Sequence, residues 1–170
     1  MKVELKIVFT KSKKKFPIGS KAIMWWTNKE YSHVAREVVR QDWGSAYYQA
    51  SEGSVNYEYE SVFNEKHEIV KEYVLLIEKE LEMDIRKACW KECGKSYGTM
   101  QNIGIALVDM GICKDTPWKD GRNCSELIYL NVLKPLVPSL DINPDTIKPH
   151  QIEQLILDNF THIDGKWHLN

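Results

Sequence analysis

The first nine residues, MKVELKIVF, place Val3, Leu5, Ile7 and Phe9 at alternate positions with Lys2, Glu4 and Lys6 between them. A period of two puts one set of side chains on one face of a strand, so a half-buried strand is expected here. The next block, KSKKKFPIGS, breaks the pattern with charge, Pro and Gly and reads as a loop. KAIMWWT is a short continuous apolar run, consistent with a buried strand. SHVAREVV, SAYYQAS and HEIVKEYVLLI are rich in β-branched and aromatic residues and read as further strands. EGSVNYEYESVFNEK, before the last of them, reads as turn-like sequence.

The periodicity then changes. EKELEMDIRKACWKECG brings Leu81, Ile85, Ala88 and Cys89 to one helical face and ends at Gly94. TMQNIGIALVDMG predicts a helix capped by Thr99 and ended by Gly111. A third helix is expected from Cys124 to about Leu133, stopped by Pro135. KPHQIEQLILDN predicts a last helix, and FTHIDGKWHL a closing hairpin around Asp164-Gly165. Strands first and helices afterwards make an α+β chain, an antiparallel sheet packed against helices, in one domain over residues 1–170.

Composition narrows the function classes. The net charge is −1, which argues against bulk electrostatic binding of nucleic acid. The basic run Lys11, Lys13, Lys14, Lys15 is a local exception, read as a solvated loop or as a contact to an anionic partner. No apolar stretch is long enough to span a bilayer. The alternating N-terminus lacks a signal-peptide apolar block, so reduced thiols in a cytoplasm are expected for Cys89, Cys93, Cys113 and Cys124.

Candidate chemistry centres on DGRNCSELIYLNVLKP, residues 120–135. Asn123 is a good N-cap residue and Glu126 follows three positions later, the spacing of a capping box. Cys124 then falls in the first helical turn. Free N–H groups and the positive end of the helix dipole favour a thiolate there. Its own N–H is free to face a developing oxyanion. The competing reading is a small buried apolar residue with no chemistry. A thiol nucleophile needs a base, and the histidines are His33, His67, His150, His162 and His168. His33 opens a β-type run, where a side chain is rigidly held. An orienting third residue is expected on a neighbouring strand, where YYQASEG offers Gln49 and Glu52.

SHVA early, YYQASEGSV next, KSYG after a helix and NCSELIY late resemble the circularly permuted papain-like fold, the NlpC-type superfamily that includes YiiX-like proteins and relatives of lecithin retinol acyltransferase. In the permuted members the histidine strand precedes the cysteine helix, as here, and the resemblance spans roughly residues 3 to 157. It implies Cys124 as nucleophile and His33 as base. Gln49 falls where YiiX-like proteins often have Glu-Ala, so either Gln49 or Glu52 is the third member. It also implies a place near the site for Tyr97, and Trp118, Trp25 and Trp26 are candidates to line a groove. The implied activity is that of a cysteine hydrolase of amidase or peptidase type, working through a thioester. Its substrate is an amide or ester: a peptide, a peptidoglycan fragment or a lipid. The alternatives are a lipid-directed acyl hydrolase or acyltransferase, and a non-catalytic binding or virion-associated module. Without an export signal, a cell-wall role implies a phage-encoded or virion-associated protein. No cofactor is called for. Cys89 and Cys93 share a helix face, but zinc needs two further ligands and no second pair at a familiar spacing appears, so no metal is expected.

Overall fold

The alternating N-terminal segment forms β1 (Lys2–Ser12), the middle strand of a sheet. The computed structural model describes residues 1–14, 18–40, 44–51, 53–98, 105, 111–112, 114 and 122–170. The other strands are β2 (His33–Arg40), β3 (Gly44–Ser51), β4 (Ser54–Tyr59), β5 (His67–Glu78), β6 (Phe160–Ile163) and β7 (Lys166–Leu169). Their order across the sheet is β4-β3-β2-β1-β5-β7-β6. Every neighbouring pair is antiparallel except β5 and β7, which run parallel. The helices are α1 (Ile18–Thr27), α2 (Glu60–Lys66), α3 (Lys79–Glu92), α4 (Cys124–Ile128) and α5 (Pro149–Asn159).

The two faces of the sheet differ. Leu5, Ile7, Phe9, Val34, Tyr48, Ala50, Val55 and Leu75 face α3, α4 and α5 and form the main core with Ile85, Leu127, Ile128 and Ile156. The opposite face carries a small cluster of Val8, Ala35, Tyr47 and Phe63, where α2 packs. One consequence of the two-residue period is that His33, Gln49 and Glu58 project on this second face. Register pairs Arg36 with Tyr48 and Gln49 with Asn56, which makes His33–Gln49 and Gln49–Glu58 diagonal neighbours.

Three segments differ from the sequence reading. KAIMWWT lies in α1, not in a strand. The apolar run is too short for its period to separate the two states. The helix solves a problem a strand cannot: it turns Ile23, Trp26 and Thr27 to one side while Trp25 stays 87% exposed. The turn-like segment is β4 followed by α2. Val55, Tyr57 and Tyr59 do alternate with Asn56 and Glu58, but Gly, Ser and Asn around them mask the signal. The helix expected over 99–111 lies outside the described residues except at isolated positions. The cysteine helix does not stop before Pro135. It continues through a π-helical turn, Tyr129–Leu133, into a last turn, Lys134–Leu136. Pro135 has no N–H to give Asn131, and the wider turn carries the chain past that missing bond. The closing hairpin is as expected, with Asp164 and Gly165 both at positive φ, as a two-residue hairpin turn requires.

A buried carboxylate anchors α5 to the strands beside the site. Glu153 accepts hydrogen bonds from Tyr31 Oη (2.5 Å), Tyr73 Oη (2.7 Å) and Lys71 Nζ (2.8 Å). Burial works to raise its pKa, but these three donors outweigh it and hold the carboxyl at about 2. Tyr31 lies two residues before His33, so the network fixes the chain at the entrance to β2.

Candidate active site

The local sequence at residue 124 folds as its spacing requires. Asn123 has extended φ/ψ, and its Oδ1 accepts from the Glu126 N–H at 2.8 Å. The Asn123 N–H donates back to Glu126 Oε2 at 3.4 Å, which completes the capping box. Arg122 adds an ion pair to Glu126 and a second to Glu92 on α3, the latter at 3.0 Å. Arg122 also lies beside Tyr97 in a parallel bridge, through Gly98 N–H to Arg122 O and Arg122 N–H to Ser96 O. The helix N-terminus is therefore clamped on three sides, and Cys124 is its first residue.

The thiol meets three groups. The His33 imidazole faces it as charge and as hydrogen-bond partner; the Val34 backbone N–H and the Ser125 hydroxyl also donate to it. Burial pushes the Cys124 pKa up, but His33, Val34 and Ser125 together bring it below the ordinary thiol value. The reciprocal holds for His33. Burial lowers its pKa, and the Cys124 charge, with the hydrogen bonds His33 donates to Cys124 and Gln49, raises it above the ordinary value. The two shifts favour a thiolate–imidazolium pair. Its neighbours behave in the opposite way: burial pushes Cys89 up to about 11, and Cys93 is also raised.

His33 is held from behind by a chain of polar contacts. Its Nε2 lies 2.9 Å from Gln49 Oε1, Gln49 Nε2 donates to Glu58 Oε2 at 2.7 Å, and Lys66 Nζ donates to Glu58 Oε1 at 2.6 Å. A carboxylate only accepts, so Glu58 forces Gln49 to present its NH2 there and its oxygen to His33. His33 must then carry a proton on Nε2, which leaves Nδ1 for the thiol. A carboxylate at position 49 would face the carboxylate of Glu58. The His67 ring stacks on His33, with centroids 5.1 Å apart, and on Phe63 at 4.6 Å, so the imidazole cannot swing away from the sheet.

Sequence reasoning named Cys124, His33 and Gln49, and the structure brings these three together. Glu52 and Trp118 lie outside the described residues. Tyr97 and Trp26 both line the narrow cleft over Cys124, which has room for about 30 Å3. Trp25 does not line it. The apolar walls are Ile23, Ile105, Ile147 and Pro149, and the polar members are Thr27, Ser32, Ser125 and Lys148. Lys148 Nζ sits 4.8 Å over the Trp26 ring. Glu58, Lys66 and Ser125 were missed, and His67 was named only as one of five candidate bases. Glu58 was findable from the alternation in SVNYEY; the stack of His67 on His33 joins residues from different strands and leaves no local signal.

The relay makes a graded expectation. Gln49→Ala leaves His33 Nε2 without its acceptor and lowers the Cys124 alkylation rate at neutral pH roughly ten- to a hundredfold, the range seen when outer partners that fix a ligand histidine are lost. Glu58→Gln keeps a partner for Gln49 but no longer dictates its orientation, and the loss is smaller. Rates measured by mass spectrometry on the two variants check this ordering.

No protein-family model and no curated protein matches the chain. Among solved structures, it is similar in fold to the crystal structure of YiiX from Escherichia coli O157:H7, which is described as a metalloprotein. The TM-score is 0.54 at 19% identity, over 91% of this chain and 82% of that one. The likeness concerns the fold, a mixed α+β arrangement consistent with the papain-like one. Among the described residues of this chain, no group of three or more His, Cys, Asp or Glu side chains is placed to hold a metal ion.

Proposed function

We propose that the chain is a cysteine hydrolase of amidase or peptidase type, with Cys124 as nucleophile, His33 as general acid and base, and Gln49 as the residue that orients His33. The observation that carries this reading is the meeting of a thiol at a capped helix N-terminus with an imidazole whose far nitrogen is bound by Gln49. The Cys124 thiolate attacks a carbonyl carbon and forms a C–S bond, and the carbonyl electrons move to oxygen. The Cys124 N–H has no carbonyl one turn earlier to bond, so it is available to that oxyanion. Asn123 Nδ2, buried beside it without a hydrogen-bond partner among the described residues, is a second donor. His33 Nδ1 gives its proton to the leaving nitrogen or oxygen as the bond to carbon breaks. Water, deprotonated by His33, then attacks the thioester and releases the acid and the thiol.

A second reading has its own support. The cleft walls are largely apolar, which suits an acyl chain and favours a lipid-directed acyl hydrolase or acyltransferase as the alternative. One experiment addresses the shared chemistry: the protein is mixed with activated acyl esters and acyl amides, and its intact mass is followed with time. An acyl adduct on Cys124 that forms and then decays supports the reading, and the preferred acyl group separates the two substrate classes. An unmodified Cys124 across the panel contradicts both.

A further inference from the structure

We infer that the cavity between α3 and the outer strands β2, β3 and β4 binds a small planar aromatic carboxylate, with its rings against Trp90 and its charge against Arg86. The inference holds whether or not Cys124 reacts, because this cavity and the cleft over Cys124 share no described residue. The cavity has room for about 450 Å3, against about 30 Å3 in the cleft. Small-molecule sites fall at roughly 300–1,000 Å3. Val38, Ala46 and Val55, all buried, form an apolar floor, and Val38 and Ala46 are register partners. Tyr57 and Trp90 form an aromatic wall, with ring centroids 5.9 Å apart and planes 30° from parallel. Trp90 is 65% exposed, so much of its indole is uncovered at the cavity edge.

The charge beside this wall is unbalanced. Arg36 Nη2, Arg86 Nε and Arg86 Nη2 all donate to one oxygen, Glu82 Oε1. Two guanidiniums against one carboxylate leave one positive charge. Arg36 is sealed in the core, whereas the Arg86 side chain is 44% exposed and lines the cavity, so Arg86 presents that charge. Its Nη1 has no hydrogen-bond partner among the described residues. Arg86 precedes Trp90 by four residues, which puts guanidinium and indole on one face of α3. No carboxylate lines the cavity among the described residues. Burial pushes the Tyr57 hydroxyl up, with Arg36 and Arg86 pulling against it, so the group keeps its proton in reach of both guanidiniums. Tyr57 Oη is buried without a hydrogen-bond partner among the described residues. These features select one ligand together. The floor takes an apolar body, the flat wall favours stacked rings, and the single excess charge takes one anionic group. An aliphatic chain forgoes the stacking, and a polyanion brings charge that nothing here matches.

The test is isothermal titration of the full chain with 1-naphthoate, with its neutral counterpart 1-naphthalenemethanol and with decanoate. Wild type is expected to bind naphthoate saturably with a dissociation constant of about 0.1 mM, within the ceiling for a ligand of about a dozen non-hydrogen atoms. The alcohol and decanoate bind about tenfold more weakly, the first for want of the charge and the second for want of the stack. Arg86→Gln lowers naphthoate affinity about tenfold and leaves the alcohol unchanged. Trp90→Ala, at a residue 65% exposed, lowers both about tenfold. Trp25→Ser, which removes an exposed tryptophan from α1, and Cys124→Ala leave both unchanged. Absence of saturable naphthoate binding overturns the inference, as does binding that Arg86→Gln or Trp90→Ala retains in full. Tighter binding of decanoate overturns the aromatic ligand, and loss of binding in Cys124→Ala moves the ligand to the cleft. A dimer in analytical sedimentation that Trp90→Ala dissolves overturns the inference in favour of a second copy of the chain.

Discussion

Cys124→Ala removes acyl-adduct formation, lowering turnover of any substrate found by at least about a thousandfold while the fold is kept. The size of the effect follows from the division of labour. Among the described residues, His33 faces no other cysteine: burial holds the Cys89 thiol up at about 11, and Cys93 is raised as well. The cap that fixes the helix N-terminus is made by Asn123 and Glu126, and neither bond involves the Cys124 side chain. Thermal unfolding of the alanine variant should therefore shift by only a few degrees, as for loss of one small buried side chain. A variant that retains adduct formation at another residue refutes the assignment, and one that unfolds leaves Cys124→Ser, which keeps the shape, to decide.

The second large effect concerns stability. Arg36 is 1% exposed on the main core face of β2, and its Nη2 lies 2.5 Å from Glu82 Oε1 on α3. Among the described residues, its Nη1 has only the Cys89 sulfur at 3.5 Å as a hydrogen-bond partner, and Nε has none. A guanidinium cannot shed its proton to escape burial. Glu82→Ala leaves that charge uncompensated and should cost about 3–5 kcal/mol, a drop in melting temperature on the order of 10 °C. Replacing both partners, Arg36→Met with Glu82→Leu, removes the charges together and should recover most of the loss. Urea unfolding of the single and double variants measures it. Equal destabilisation by the single and double changes would show that packing, and not the unpaired charge, sets the cost.

Much of the site was legible in the sequence because its determinants are local. A capping box is a four-residue signal, and it placed Cys124 at a helix start without any tertiary information. His33 at the head of a β-branched run, and Gln49 within another, were legible because strand alternation fixes which face each residue takes. What was not legible depends on pairing between strands. The contact of Gln49 with Glu58 requires knowing that β3 and β4 pair and in which register, and the second strand was hidden among turn-forming residues. The stack of His67 on His33 joins the first residues of β2 and β5, two strands that flank β1. The helix α1 was misread for a physical reason: a run of five apolar residues carries no usable period, and the choice was made by the need to bury Trp26 and Ile23 together.

The central claim is that Cys124 is held as a thiolate by His33, and site-resolved alkylation against pH tests it most directly. The thiol pKa is lowered and the imidazole pKa is raised, so both shifts favour the ion pair, which is lost as pH falls through the thiol value and as it rises through the imidazole value. Cys124 should then react with a small haloacetamide well below pH 9, at pH values where Cys89 and Cys93 are silent. In His33→Ala the favourable charge is gone while burial remains, and the Cys124 profile should move up to or beyond the ordinary thiol range. A Cys124 profile that matches Cys93, or one that His33→Ala leaves in place, contradicts the claim.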